Sequence, residues 1–263
     1  MPRIYLPISR ILDNRISITN EKAHYLTSVL RCGKGDELII FDGEGDCFRT
    51  TILKADRREI ITEVIEKFQC NAESNINITL VQGLLKGEKM DMVIQKTTEL
   101  GVKEIIPVVT ERSQMRETRK VTRWRKIAEE ASRQSGRSII PVIHDPIKFF
   151  DILNLLRPSN KVKSLLFYEE GGMKLSEAVL RIGIHDTGYK MQDKRNRTSC
   201  IMHHASPCIY VVVGPEGGFT KEEVFLAKEK GLLVTSLGER ILRAETAAIS
   251  AVALVQFLLG DMG

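Results

Sequence analysis

Val213-Gly214-Pro215-Glu216-Gly217-Gly218-Phe219 and Leu237-Gly238-Glu239-Arg240-Ile241-Leu242-Arg243-Ala244-Glu245-Thr246-Ala247 are the stretches on which the fold turns. Each follows a short apolar run, Ile209–Val213 and Leu233–Leu237, that reads as a buried strand. In open α/β sheets ligands bind beyond the carboxyl ends of strands, where both loops lie. Glycines there let the backbone approach a ligand closely or take a positive φ. Thr220-Lys221-Glu222-Glu223 is a capping box, so the first loop feeds a helix that Gly231 closes. The second loop opens a helix over Glu245–Leu259 that is apolar almost all round from Ala247 onward. Such a helix is expected to be covered on every side, in the core or between subunits.

Working outward, strands alternate with helices. Ile76–Leu85, Glu104–Val109 and Val162–Tyr168 read as strands, and Met90–Leu100 and Thr122–Ser135 as helices. Met90, Val93, Ile94, Thr97 and Leu100 share one face of the first helix, and Gly101 ends it. This alternation predicts a largely parallel α/β sheet with crossover helices. Residues 173–206, which include the basic run Lys190–Arg197, read mostly as a long loop or insertion. The first seventy residues differ. Leu38–Phe41, Cys47–Leu53 and Ile60–Ile65 are short strands broken by Asp42–Asp46 and Asp56–Glu59, an antiparallel meander or small β-barrel. A turn or two of helix near His24–Arg31 precedes them. The polar run Asn71–Asn75 sets the boundary between domains at 1–72 and 73–263.

Composition narrows the functional classes. Of 263 residues 43% are apolar and 28% charged, the balance of an ordinary globular protein. No apolar run approaches the roughly 18 residues of a membrane span, and the first residues do not resemble a secretory signal, so a cytoplasmic location is expected. Five cysteines without CxxC spacing predict reduced thiols rather than a disulfide framework. Cys200, His203, His204 and Cys208 have ligand-like spacing, but no second cluster accompanies them, and no metal is expected. Residues 1–72 carry eleven Lys/Arg and eleven Asp/Glu, whereas 111–137 carry nine Lys/Arg against four Glu. Cations clustered like this release counterions on binding phosphates, which points to nucleic acid; a solvated helix face is the alternative.

Neither glycine loop contains the Gly-Lys-Ser/Thr of a P-loop or a GxGxxG turn, and Gly83-Leu84-Leu85-Lys86-Gly87-Glu88-Lys89 has the wrong spacing as well. The cofactor expected here is one without phosphates, held by backbone groups and apolar walls, as suits an adenosine bearing a sulfonium. Taken alone, Gly-Pro-Glu-Gly-Gly is a tight turn. The two loops together, with His24-Tyr25-Leu26, Val29-Leu30-Arg31, Lys96-Thr97-Thr98-Glu99-Leu100-Gly101-Val102, Ile106-Pro107 and Gln134-Ser135-Gly136-Arg137, closely resemble the small-subunit ribosomal RNA uridine N3-methyltransferases of the SPOUT superfamily, over most of the chain.

The resemblance implies an N-terminal PUA-like barrel for RNA and a C-terminal domain tied in a trefoil knot, paired as a homodimer around S-adenosylmethionine. It implies that Gly214, Glu216, Gly217 and Gly218 line one side of that cofactor. Leu237, Gly238, Ile241, Leu242 and Arg243 line the other, with Thr246 and Ala247 opening the last helix beneath. The substrate implied is 16S ribosomal RNA in the small ribosomal subunit. Methylation at N3 requires loss of a proton, with charge spreading to O2 and O4. Arg243 is the candidate to stabilise that charge, with a salt bridge to Glu245 or Glu216 as its structural alternative. Glu245, or Glu216, is the candidate proton acceptor, unless these carboxylates simply bind amides at a helix start. Arg31, Arg112, Arg116, Arg119, Arg123 and Arg137 are the expected RNA contacts. The competing readings are a non-catalytic RNA-binding ribosome assembly factor and an enzyme acting on a small nucleotide.

Overall fold

The computed structural model describes residues 1–7, 14–70, 72–156, 162–182 and 208–263. Two compact units emerge, Met1–Glu73 with Glu129–Ile140, and Ser74–Ala128 with Pro141–Gly263.

In the first unit β1 (Arg3–Tyr5), β2 (Arg15–Thr19), β3 (Glu37–Phe41), β4 (Asp46–Ala55) and β5 (Glu59–Gln69) form one sheet in the order β1-β3-β4-β5-β2. The meander β3–β4–β5 is antiparallel, with register shifts in β4 at Arg49/Thr50 and Ile52/Lys54 that bend it. A short α1 (Asn20–His24) runs into a π-helical turn, Tyr25–Val29. Ile16, Ile18, Leu26, Leu38, Ile40 and Ile60 alternate inward to make a closed apolar core. Cys47 and Cys70 are joined as a disulfide. This corrects the expectation of thiols alone. Spacing along the chain is silent about cysteines that a sheet brings together, and the pairing Asp46↔Gln69 places their neighbours side by side.

The second unit holds β6 (Asn77–Gly83), α2 (Lys89–Glu99), β7 (Glu104–Val109), α3 (Val121–Ser135, whose second half belongs to the first unit), β8 (Val142–Ile143), β9 (Ile147–Lys148), α4 (Phe149–Leu155), β10 (Val162–Phe167), β11 (Met173–Lys174), α5 (Leu175–Ile182), β12 (Cys208–Val213), α6 (Lys221–Glu229), β13 (Leu233–Ser236) and α7 (Ala244–Leu259). Its sheet runs β11-β13-β10-β12-β6-β7-β8, with β9 also on β7, and every pairing is parallel. Val81, Ile106, Leu166, Tyr210 and Val212 pack with Phe149, Ile152, Phe219 and Val224 from α4, α6 and the loop between β12 and α6. Leu80, Ile105, Leu165 and Val211, of opposite parity, are buried too, so both sheet faces are covered.

Strand β13 pairs with β10, yet the helix that follows it, α7, packs on α2, β12 and β6. The chain therefore returns across the sheet after β13. Ala248, Ala251, Val252, Val255 and Gln256 of α7 are buried, with Gln256 donating to the Leu100 carbonyl at 2.7 Å and accepting from Ser74 Oγ at 2.9 Å. Leu254, Phe257 and Leu258 remain exposed, so the chain alone covers one face of this helix.

The stretch from residue 173, read as loop, begins with β11 and α5; the rest of it, including Lys190–Arg197 and the Cys200/His203/His204 spacing, lies outside the described residues. Leu175, Ala178, Val179 and Ile182 recur at helical spacing and are buried, a periodicity obscured by the polar sequence after it. Among the described residues no cluster of His, Cys, Asp and Glu could hold a metal, and no helix is long and apolar enough to cross a membrane.

Candidate active site

The cleft opens at the carboxyl ends of β10, β12 and β13. Its walls include Phe167 at the end of β10 with Tyr168 and Glu169 after it, Gly214, Pro215, Glu216 and Gly218 after β12, and Leu237, Gly238, Arg240, Ile241, Leu242 and Arg243 after β13. Ala244, Glu245 and Ala247 of α7 and Lys89 of α2 complete it. The two loops singled out in the sequence thus meet in one place. Gly217 and Thr246, expected among the cofactor contacts, are not part of the lining.

The β12–α6 loop is fixed from several directions. Gln82 Nε2 donates to the Gly214 carbonyl at 3.1 Å, and Arg112 Nη1 donates to that of Gly217 at 3.2 Å. Gly218 sits at φ +68°, and a Cβ there would strike the Glu169 carboxylate. A Cβ on Gly83 would strike the Pro215 nitrogen. The capping box forms as expected, with the Glu223 amide donating to Thr220 Oγ1 at 3.1 Å and Glu223 Oε2 accepting from the Thr220 amide at 2.9 Å. Glu223 Oε1 also accepts from the Glu111 amide at 2.8 Å, which ties the start of the basic stretch to this loop.

Glu216 Oε1 accepts from the Lys86 amide at 3.1 Å and from Lys89 Nζ at 3.2 Å. Burial pushes the Glu216 carboxyl up, but these donors together outweigh it and hold it below its usual range. Lys89 Nζ also lies 3.9 Å from Glu245 Oε2. Glu216 Oε2 and Glu245 Oε2 are buried without a hydrogen-bond partner among the described residues. Lys89 escaped the sequence reading because the stretch around it was tested only as a P-loop.

Arg243 is the N-cap of α7, extended at φ −62° and ψ 148° and exposed, and among the described residues it pairs with neither Glu216 nor Glu245. Burial, with Glu170 and Glu169 nearby, pushes the Tyr168 phenol up and keeps it protonated, donating to Glu170.

The predicted RNA contacts separate. Arg112, Arg116, Arg119 and Arg123 are exposed on the second unit. Arg123 pairs with Asp91 at 2.8 Å, which also accepts from Trp124 Nε1. Arg31 is exposed on the first unit at φ +57°. Arg137 is a correction. It is 1% exposed and locked to Glu73 at 2.9 Å, while Glu73 Oε1 also accepts from the Ser138 and Ile139 amides. The polar run taken as the domain boundary supplies that partner, and a buried arginine paired in this way is not a surface contact.

The cleft fits S-adenosylmethionine. Apolar walls, close-packed glycines and two buried carboxylate oxygens without donors among the described residues suit a cationic ligand without phosphates. A parallel sheet carrying such a cleft, in a chain that also holds a small antiparallel unit, defines a two-part α/β enzyme. A sequence profile of the RNA methyltransferase domain matches residues 72–256, and one of the RNA methyltransferase PUA domain matches 18–65. The chain belongs to this RNA methyltransferase family and is an S-adenosylmethionine-dependent methyltransferase. It is 31% identical to the ribosomal RNA small subunit methyltransferase E of Buchnera aphidicola subsp. Acyrthosiphon pisum, covering 99% of this chain and 95% of that one. The Bacillus subtilis protein of the same name is 30% identical, covering 92% and 89%. The crystal structure of ribosomal RNA small subunit methyltransferase E from Neisseria gonorrhoeae bound to S-adenosyl methionine superposes with TM-score 0.82 at 31% identity, over 100% of both chains. A methyltransferase from Legionella pneumophila, also solved with the cofactor, gives 0.79 at 29% identity, covering 99% and 98%.

Proposed function

We propose that this chain methylates N3 of a uridine in 16S ribosomal RNA of the small ribosomal subunit, as a cytoplasmic homodimer. The relatives' names support the substrate class. The observation that carries the chemistry is that one cleft brings together a cation, Arg243, and a carboxylate, Glu245, neither of which has an ion-pair partner at hydrogen-bond distance among the described residues. The exposed Leu254, Phe257 and Leu258 of α7 support pairing with a second copy.

In this reading residues 1–72 form the RNA-binding domain and 73–263 the methyltransferase domain. Gly214, Glu216, Gly218, Leu237, Gly238, Ile241, Leu242, Arg243 and Ala247 hold the cofactor, Gly217 acts through its carbonyl on Arg112, and Thr246 only opens α7. Bound S-adenosylmethionine supplies an electrophilic methyl group. N3 sits on the Watson–Crick edge, so the uridine must be unpaired or extruded. Glu245 takes the N3 proton, the electron pair left on N3 would form the new bond to the methyl carbon as the carbon–sulfur bond of the bound cofactor breaks and leaves its pair on sulfur, and the Arg243 guanidinium stabilises the charge on O2 and O4. Arg31, Arg112, Arg116 and Arg119 contact phosphates, and Arg123 does so while paired with Asp91.

The test is methyl transfer from labelled S-adenosylmethionine to small ribosomal subunits from cells lacking the protein, followed by nucleoside analysis. Labelled 3-methyluridine is the expected product. A different labelled nucleoside would overturn the target atom, and no transfer despite cofactor binding would overturn the substrate.

A further inference from the structure

A lysine at the first residue of a helix is electrostatically misplaced, because the helix N-terminus carries partial positive charge. Lys89 holds that position in α2, with Glu88 as N-cap. Its ammonium reaches across the cleft instead, to 3.2 Å from Glu216 Oε1 and 3.9 Å from Glu245 Oε2. The two carboxylates are treated unequally. Glu216 is also held by the Lys86 amide, while Glu245 accepts no hydrogen bond among the described residues. The side chains of Glu216 and Glu245 are 19% and 12% exposed, so little water screens them.

We propose that Lys89 is a positioning residue for methyl transfer: its ammonium, shared between Glu216 and Glu245, keeps Glu245 an ionised carboxylate free to take the N3 proton. The inference rests on the reading of Glu245 as the proton acceptor. A general base must be charged and must keep a lone pair uncommitted. A direct hydrogen bond from Lys89 would satisfy the first need and defeat the second. The longer contact supplies charge without occupying the acceptor. Glu169, Arg240, Arg243 and Tyr168 line the same cleft, but only Lys89 comes within ion-pair distance of Glu245 among the described residues. Without Lys89, no cation would lie within ion-pair distance of either carboxylate among the described residues, and holding both of them ionised would be less favourable.

The test is a carbon-13 NMR titration of the glutamate carboxyls in the cofactor-free protein, with Glu245 assigned from Glu245→Gln. Lys89→Met should raise the Glu245 midpoint by about one pH unit, and Lys89→Arg should restore it; Lys89→Gln replaces Lys89→Met should that variant not fold. Turnover on small ribosomal subunits should parallel this. Lys89→Met should match the wild type above the raised midpoint and fall to about a tenth of it below the wild-type midpoint, whereas Glu245→Gln should lose at least about a hundredfold wherever the wild type is active. An unmoved midpoint in Lys89→Met, with Glu245→Gln inactive, overturns the role of Lys89 alone. Wild-type turnover in Glu245→Gln overturns the proposal through its premise, whatever the titration shows.

Discussion

The β12–α6 loop and the β13–α7 loop form facing walls of one cleft, and they are built differently. The first is held by Gln82, Lys86, Lys89 and Arg112, and at the start of its helix one oxygen of Glu223 accepts from the Thr220 amide and the other from the Glu111 amide. In the second, Ser236 Oγ bonds among the described residues only to Gly238 two residues away, and Ile241 is 84% exposed. Arg240 and Arg243 point no guanidinium at a carboxylate among the described residues. A wall anchored on neighbouring strands is preorganised for a cofactor. A wall whose apolar and cationic side chains lack partners has its interactions left to make with ligand and substrate. The contrast predicts that damage to the first wall will be read in stability and cofactor affinity, and damage to the second in turnover.

Arg243→Ala should show the largest effect, cutting turnover roughly 10²–10³-fold while leaving the cofactor Kd within a few-fold. Unchanged turnover would remove Arg243 from the mechanism and the catalytic role from its wall. Replacing Arg112, Arg116 and Arg119 together by Ala should weaken RNA binding and reduce the slope of log affinity against log salt by about 2 to 3; an unaltered slope would make this stretch a solvated face. Gly83→Ala forces a Cβ onto the Pro215 nitrogen, and about 1–3 kcal/mol of stability should be lost in denaturant unfolding, with weaker cofactor binding. Should both stay unchanged, the first wall is less rigid than its contacts imply. Thr220→Ala removes the cap of α6 and should cost about 1 kcal/mol.

The smallest expected effect depends on pH. Glu216 titrates below its usual range when folded, so it contributes stability above that range and loses it as pH falls through the lowered value. The Tm of Glu216→Gln should therefore lie below that of the wild type at neutral pH, with the gap closing in acid. A gap that widened in acid would mean that Glu216 is protonated in the fold.

Legibility followed the range of the interaction. The capping box at Thr220 and the strand Glu104–Val109 depend on residues a few positions apart, and both formed as read. The helix Leu175–Ile182 has the same local signal, but the polar sequence beyond it drew the whole stretch into a loop reading. Arg137 shows the opposite limit. Nothing near it in sequence distinguishes it from Arg133 or Arg123, and its partner Glu73 lies sixty-four positions away. Cys47 and Cys70 met for the same reason, through sheet register.

Period and turn chemistry by themselves determined that a small antiparallel unit precedes a parallel α/β unit, and that two glycine-bearing loops follow adjacent strand ends. These patterns are local, because hydrophobic spacing and capping act within a few residues. Only the tertiary structure decided that Lys89 joins the cleft, that Arg137 is withdrawn from the surface, and that one face of α7 is left exposed. Those outcomes are set by which distant charges and apolar faces the fold brings within contact, because a buried charge must find its partner wherever the chain places one.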